Sequence, residues 1–170
     1  RNTAIGQGAL SNATTGSYNT AIGQQVMGTG IVTGNFNTGL GITALDDLTS
    51  GSFNTAIGSQ SPLGNTTTGQ NNTAIGPYVL INNQAGSNNV SIGRSALAGS
   101  SLGDYTGNTV IGTNALDGLN PGQNHNTVIG YLAGRDLDTG TKNIIIGMDA
   151  EASATSVSNE ITFGDTGDKS

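Results

Sequence analysis

The chain has no cysteine and no tryptophan, and little that is charged or aromatic. Without cysteine there is no disulfide frame, no thiolate nucleophile and no cysteine-built zinc cluster. Five lysines and arginines stand against eleven aspartates and glutamates in 170 residues, a net charge of −6. No basic run can neutralise phosphates, so neither nucleic acid nor an anionic membrane surface is expected as a partner. No apolar stretch approaches the ~20 residues that a membrane-spanning helix needs. Charged residues are 9% of the chain, too few to hold it open by repulsion, and hydrophobic residues are 34%, a poor supply for one central core. Something regular must bury small side chains efficiently. The sequence begins in mid-motif at Arg1, so it reads as a piece of a longer protein.

What is abundant is glycine, with 28 residues, and one five-residue phrase. Asn-Thr-Ala-Ile-Gly stands at Asn2–Gly6, Asn19–Gly23, Asn54–Gly58 and Asn72–Gly76. Relaxed to Asn-x-x-apolar-Gly, it starts at Asn2, Asn19, Asn37, Asn54, Asn72, Asn89, Asn108, Asn126 and Asn143, with a degenerate copy at Glu160. Successive copies are 17 to 19 residues apart. A short period held from end to end marks a solenoid.

The unit has an internal grammar. Its apolar position is Ile5, Ile22, Leu40, Ile57, Ile75, Ile92, Ile111, Ile129, Ile146 and Phe163, always followed by glycine. Five residues later comes a second apolar site, as at Leu10, Met27, Leu45, Leu80, Leu97 and Leu116. A polar loop closes the unit, commonly with glycine three residues before the next asparagine. Threonine, valine and isoleucine favour strands, and glycines this dense leave no room for a helix of ten residues. Each unit is therefore expected to be a strand of about five residues, a glycine bend, a shorter second strand and a return loop. The predicted fold is all-β: a parallel β-solenoid of about ten coils over residues 1–164, with 165–170 an exit segment toward a further C-terminal region. Alternation puts threonine and isoleucine on one face and alanine on the other. The isoleucine column is expected to fill the core. The asparagines are expected either to bond up and down as an amide ladder or to serve as turn formers.

A core of one isoleucine and one leucine per coil is thin against a backbone ordering cost of ~1–2 kcal/mol per residue. Association that buries a second face along the whole length is expected to make up the difference.

Candidate sites are few. His125 is the only histidine and has Gln123, Asn124 and Asn126 as neighbours, so a flanking ring is expected rather than a catalytic or metal-binding one. Tyr18, Phe36 and Phe53 fall at the same place in consecutive units and could hold sugars on an exposed face. With Tyr105 and His125 they are the candidates for surface recognition. Loop aspartates (Asp46, Asp47, Asp104, Asp117, Asp136, Asp138, Asp165 and Asp168) lack an EF-hand or a calcium nonapeptide pattern and read as solvated turn residues. Their scatter over different units argues against a glycosidase pair. Gly28-Thr29-Gly30 and Gly39-Leu40-Gly41 lack the lysine and helix of a phosphate loop. No catalytic residue, cofactor or metal is expected. The threonine column suggests ice binding as a lesser alternative, but it breaks at Val90 and Ile144.

The stretch Asn2–Gly23 resembles the head repeat of trimeric autotransporter adhesins, and the longer units and the closing Ser158–Ser170 resemble bacteriophage tail-fibre proteins. The resemblance covers nearly the whole chain. It implies a left-handed β-roll, a homotrimer with one strand face of each chain lining a shared axis, and a place in a virion or on a cell surface. It implies a structural and adhesive role in host attachment, with a glycan or protein receptor met by the variable loops. The longest loops lie near 98–107 and 117–125. A polysaccharide depolymerase is a further lesser alternative.

Overall fold

A computed structural model describes residues 1–60, 63–64, 66, 68–99, 102–117 and 122–164. Ten strands follow one another: β1 Thr3–Ile5, β2 Thr20–Ile22, β3 Thr38–Leu40, β4 Thr55–Ile57, β5 Thr73–Ile75, β6 Val90–Ile92, β7 Thr109–Ile111, β8 Thr127–Ile129, β9 Ile144–Ile146 and β10 Ile161–Phe163. They form a single parallel sheet in sequence order. The fold is a parallel β-solenoid of about nine turns, as the period predicts. At ~4.8 Å per step, β1 and β10 are about 43 Å apart. The expected exit segment 165–170 lies outside the described residues.

Register is the same at every step. Thr3 faces Thr20, Ala4 faces Ala21 and Ile5 faces Ile22, and so on to Phe163 over Ile146. Each three-residue strand is extended at both ends by a further inter-coil bond. Thr20 N–H donates to Asn37 O at 2.8 Å, and Gly23 N–H donates to Ile5 O at 2.7 Å. The glycine after the strand is obligatory for two reasons. Gly41 has φ +131, and a Cβ there would lie 1.6 Å from the Gly58 carbonyl oxygen. Stacked coils meet here backbone to backbone.

Among the described residues the expected second strand is not formed. Its place is taken by a tight turn in which the second and fourth residues after the glycine are left-handed. Gln25 and Met27 have φ of 54 and 50, Thr43 and Leu45 have 57 and 56. This alternation bends the chain back within four residues, which two extended segments could not do. Inter-coil bonds persist across the turn, as from Met27 N–H to Ala44 O at 3.0 Å.

The core is the other face of the strand. The middle residue of each strand from β2 to β9 is fully buried: Ala21, Gly39, Ala56, Ala74, Ser91, Val110, Val128 and Ile145. It packs on the turn residues Val26, Met27, Ala44, Leu45, Val79, Leu80, Ala96, Leu97, Ala115 and Leu116. A further buried set includes Val32, Leu48, Tyr105 and Leu137. Volumes are complementary across this interior. Where the strand has Gly39, Val26 Cγ1 fills the space a Cβ would take. Where it has Val128 and Ile145, the turn position is Gly134, with both side chains within 3.3 Å of its missing Cβ.

The expectation that the isoleucine column fills the core is therefore corrected. Ile5, Leu40, Ile111 and Phe163 are exposed, and Ile22, Ile57, Ile75, Ile92, Ile129 and Ile146 are only half-buried. Opposite a turn leucine or methionine the inward position is mostly alanine, glycine or serine, and isoleucine enters it only at Ile145, beside Gly134, so in most coils the small residue faces in and isoleucine faces out.

Candidate functional site

The asparagine column forms a ladder of hydrogen bonds. Asn19, Asn37, Asn54, Asn72, Asn89, Asn108, Asn126 and Asn143 are buried, while Asn2 is exposed in the first coil. Asn54 shows the pattern. Its Nδ2 donates to Asn37 Oδ1 at 3.1 Å and to Gly69 O at 2.8 Å, and its Oδ1 accepts from the Asn72 backbone N–H at 3.0 Å. From Asn37 to Asn108 each amide thus joins the asparagine of the coil before, the asparagine of the coil after and the return loop between its own strand and the next. Backbone bonds to Oδ1 run unbroken from Asn2 to Glu160, whose N–H donates to Asn143 Oδ1 at 2.9 Å. The turn conformation belongs to the residue before each asparagine. Tyr18, Phe36, Phe53, Asn71, Asn88, His125, Lys142 and Asn159 all have φ between 56 and 63.

That preceding column carries the three rings. Tyr18 and Phe36 have centroids 5.0 Å apart at 3°, and Phe36 and Phe53 are 5.1 Å apart at 8°. The rings are 59%, 50% and 56% exposed. Left-handed backbone costs a side-chain-bearing residue about 1–2 kcal/mol, and a ring pair returns about 0.5–1.5 kcal/mol. Two stacks do not offset three strained residues in full. Both faces of Phe36 are occupied by its neighbours, so only ring edges are presented along the middle of the ladder. A sugar that stacks on a ring face finds none free at Phe36.

The ring column borders the threonine column. A crevice of about 280 Å³ is lined by Thr3, Thr20 and Tyr18 with Arg1, Asn2 and Asn19. Beside the threonines stand the outward isoleucines, one residue in each strand apart. The strand face is thus two columns ten ranks long without a charged side chain. Threonine occupies the first column in β1 to β5, β7 and β8, and valine or isoleucine occupies it in β6, β9 and β10.

The other candidates fall elsewhere. Tyr105 is fully buried, so its assignment to surface recognition is corrected. Its N–H donates to Asn83 Oδ1 at 2.9 Å, and burial pushes its phenol pKa up. His125 is exposed, and its ring lies over Gly107, where a Cβ would come within 2.4 Å of Nδ1. The long loops near 98–107 and 117–125 include residues 100, 101 and 118–121, outside the described residues.

The described loop aspartates are not assembled into one site. Asp104 Oδ1 accepts from Ala85 N–H at 3.0 Å and Asp47 Oδ1 from the Thr29 hydroxyl at 2.6 Å. Asp136 and Glu151 flank Arg135 at 3.7 and 3.5 Å. Burial raises the carboxyl pKa of Asp46, Asp117 and Glu151, with the Asp47 charge adding to it at Asp46. Among the described residues no group of three histidine, aspartate or glutamate side chains is placed to hold a metal ion. Asp165 and Asp168 lie outside the described residues.

No protein-family model, no curated protein and no solved structure matches this chain. The functional reading rests on the geometry. Two features went unseen in the sequence: the burial of the middle strand residue, and the left-handed residues of the turn. The signal for the first was its smallness, since Ala, Gly and Ser recur there only while the facing turn is large.

Proposed function

We propose that the chain is a rod segment of a virion fibre, of the phage tail-fibre kind, assembled as a homotrimer and serving host-surface attachment. The observation that carries this reading is the uncharged Thr/Ile face, ten ranks long, on a coil whose other outward columns are polar or interrupted. Three copies placing that face on a common axis would bury it along the whole rod. A left-handed coil and an extracellular or virion location belong to the same reading. The role is mechanical: backbone and amide ladders run the length of the stack, so bending or local opening must break several bonds at once. The return loops differ in sequence from coil to coil, and their exposed polar residues are the places for contact with a cell-surface glycan or protein. No catalytic step is assigned to the segment.

Sedimentation equilibrium tests the assembly. The expected mass is three times that of the chain, and a folded monomer would overturn the reading. Flanking sequence separates the two kinds of fibre, since a C-terminal membrane β-barrel would point instead to the head of a bacterial autotransporter adhesin. The five consecutive threonines of β1 to β5 favour ice binding as a second reading. It requires that face to be open, so thermal hysteresis from a monomer would replace the fibre reading with it.

A further inference from the structure

A periodic interface has a problem of its own. Sliding one copy along another by one coil, ~4.8 Å, sets threonine on threonine and isoleucine on isoleucine again. The contacts of the repeat are nearly the same in each slipped state, and uniform strands specify register weakly. A parallel homo-oligomer built on this face therefore needs marks that do not repeat. The face carries two extended ones, one toward each end, with the single change of threonine to Val90 in β6 between them.

Toward the N-terminus is the ring ladder of Tyr18, Phe36 and Phe53. It stands on β2 to β4 only and borders the threonine column. The same column holds Asn71 and Asn88 in the next two coils, residues suited to its left-handed backbone. The rings are thus placed against local preference and left half exposed. Toward the C-terminus, Ile144 and Ile161 replace threonine in two consecutive strands, so β9 has three isoleucines in a row and β10 presents Ile161 with Phe163. A slip by one coil would set an isoleucine methyl against a threonine hydroxyl at one end, and leave a ring beside an asparagine at the other.

We propose that these two aperiodic marks fix the axial register of the assembly, the partner at this surface being a second copy of the same chain. The inference rests on the oligomer reading above. It assigns to the rings and to Ile144 and Ile161 a specificity role distinct from the adhesion that the repeat itself supplies. Both marks resist slippage in either direction, because each contributes unlike neighbours whenever the copies are offset.

The absence of cysteine makes disulfide mapping clean. Chains carrying Thr55→Cys or Ile57→Cys are mixed with chains carrying Thr73→Cys or Ile75→Cys, refolded together and oxidised. Same-coil bonds are expected in the otherwise wild-type background, and bonds between positions one coil apart are expected to be minor. With Tyr18→Asn, Phe36→Asn, Phe53→Asn, Ile144→Thr and Ile161→Thr combined, and Val90→Thr added so that no break in the threonine column remains, the oligomer is expected to persist while offset bonds become as abundant as same-coil ones. Retention of same-coil bonds alone in that variant overturns the proposal. If circular dichroism shows it unfolded, the three ring-to-asparagine changes by themselves are used. They suit the left-handed backbone, and offset bonds must then still rise, or the rings are not a register mark. Absence of any inter-chain bond at all four positions in the wild-type background overturns the oligomer reading instead.

Discussion

Asn54→Ala removes one rung of the amide ladder. The cost follows from what is left behind. Gly69 O loses the Asn54 Nδ2 donor, and Asn72 N–H loses the Asn54 Oδ1 acceptor. Both residues are buried, and among the described residues neither group has another protein partner in the hydrogen-bond pattern of this rung. Asn37 Oδ1 keeps the Asn54 backbone N–H, and Asn72 Nδ2 keeps Gly86 O, so they stay satisfied. Two orphaned buried backbone groups cost about 1–3 kcal/mol each, or about 2–6 kcal/mol together. That is a large share of the ~5–15 kcal/mol that holds an ordinary domain. Urea unfolding followed by circular dichroism measures it, at one fixed protein concentration because association adds to apparent stability. Gln24→Ala, at an exposed position, is the control and should change stability by no more than about 0.5 kcal/mol. A midpoint shift for Asn54→Ala no larger than the control's would refute the ladder as a source of stability.

Asn54→Asp sharpens the same point. An ionised carboxylate can accept from Asn72 N–H, but it donates nothing to Asn37 Oδ1 or Gly69 O, which lie 3.1 and 2.8 Å from the present Nδ2. The folded protein should therefore hold the proton more tightly than the unfolded chain. Stability of the variant should be greatest below the unfolded pKa of ~3.9 and should fall as pH rises through the raised folded value.

Four further outcomes are expected. Gly41→Ala should unfold or severely destabilise the solenoid, since its Cβ would enter the Gly58 carbonyl, and thermal denaturation reads this directly. Val128→Thr should destabilise the fold of the chain, whereas Ile129→Thr, on the outer face, should leave the fold intact and weaken assembly, as seen by comparing circular dichroism with sedimentation. Tyr105→Ala should cost about 3–5 kcal/mol in urea unfolding, the range for a buried aromatic, because the ring is inside the coil. Finally, Asp46 and Glu151 have pKa values raised by burial above 3.8 and 4.5, so the folded state binds their protons more tightly. Their contribution to stability is full below those values and is lost as pH rises through the folded ones, and Asp46→Asn with Glu151→Gln should flatten that part of the urea midpoint's pH profile.

The period, the strand at each Asn-x-x-apolar-Gly and the parallel stacking were legible in the sequence, because one short phrase repeated at 17 to 19 residues admits no other arrangement of strands this short. Glycine at the bend was legible too, since nothing else follows the apolar residue in any copy. Which strand face turns inward was not. Alternation separates Ile57 from Ala56, but only the width of the closed coil decides that alanine is the one that fits. The fate of the Leu45 segment was hidden for a similar reason. Its apolar pattern suits a strand, while the need to reverse direction within four residues puts Thr43 and Leu45 in left-handed turns. Tyr105 shows the limit most plainly: an aromatic in a polar loop reads as surface, and the fold carries that loop back over the interior. Local sequence thus determined the repeat and its register. Inside and outside were decided by the space that a closed coil leaves, which is a property of the tertiary structure alone.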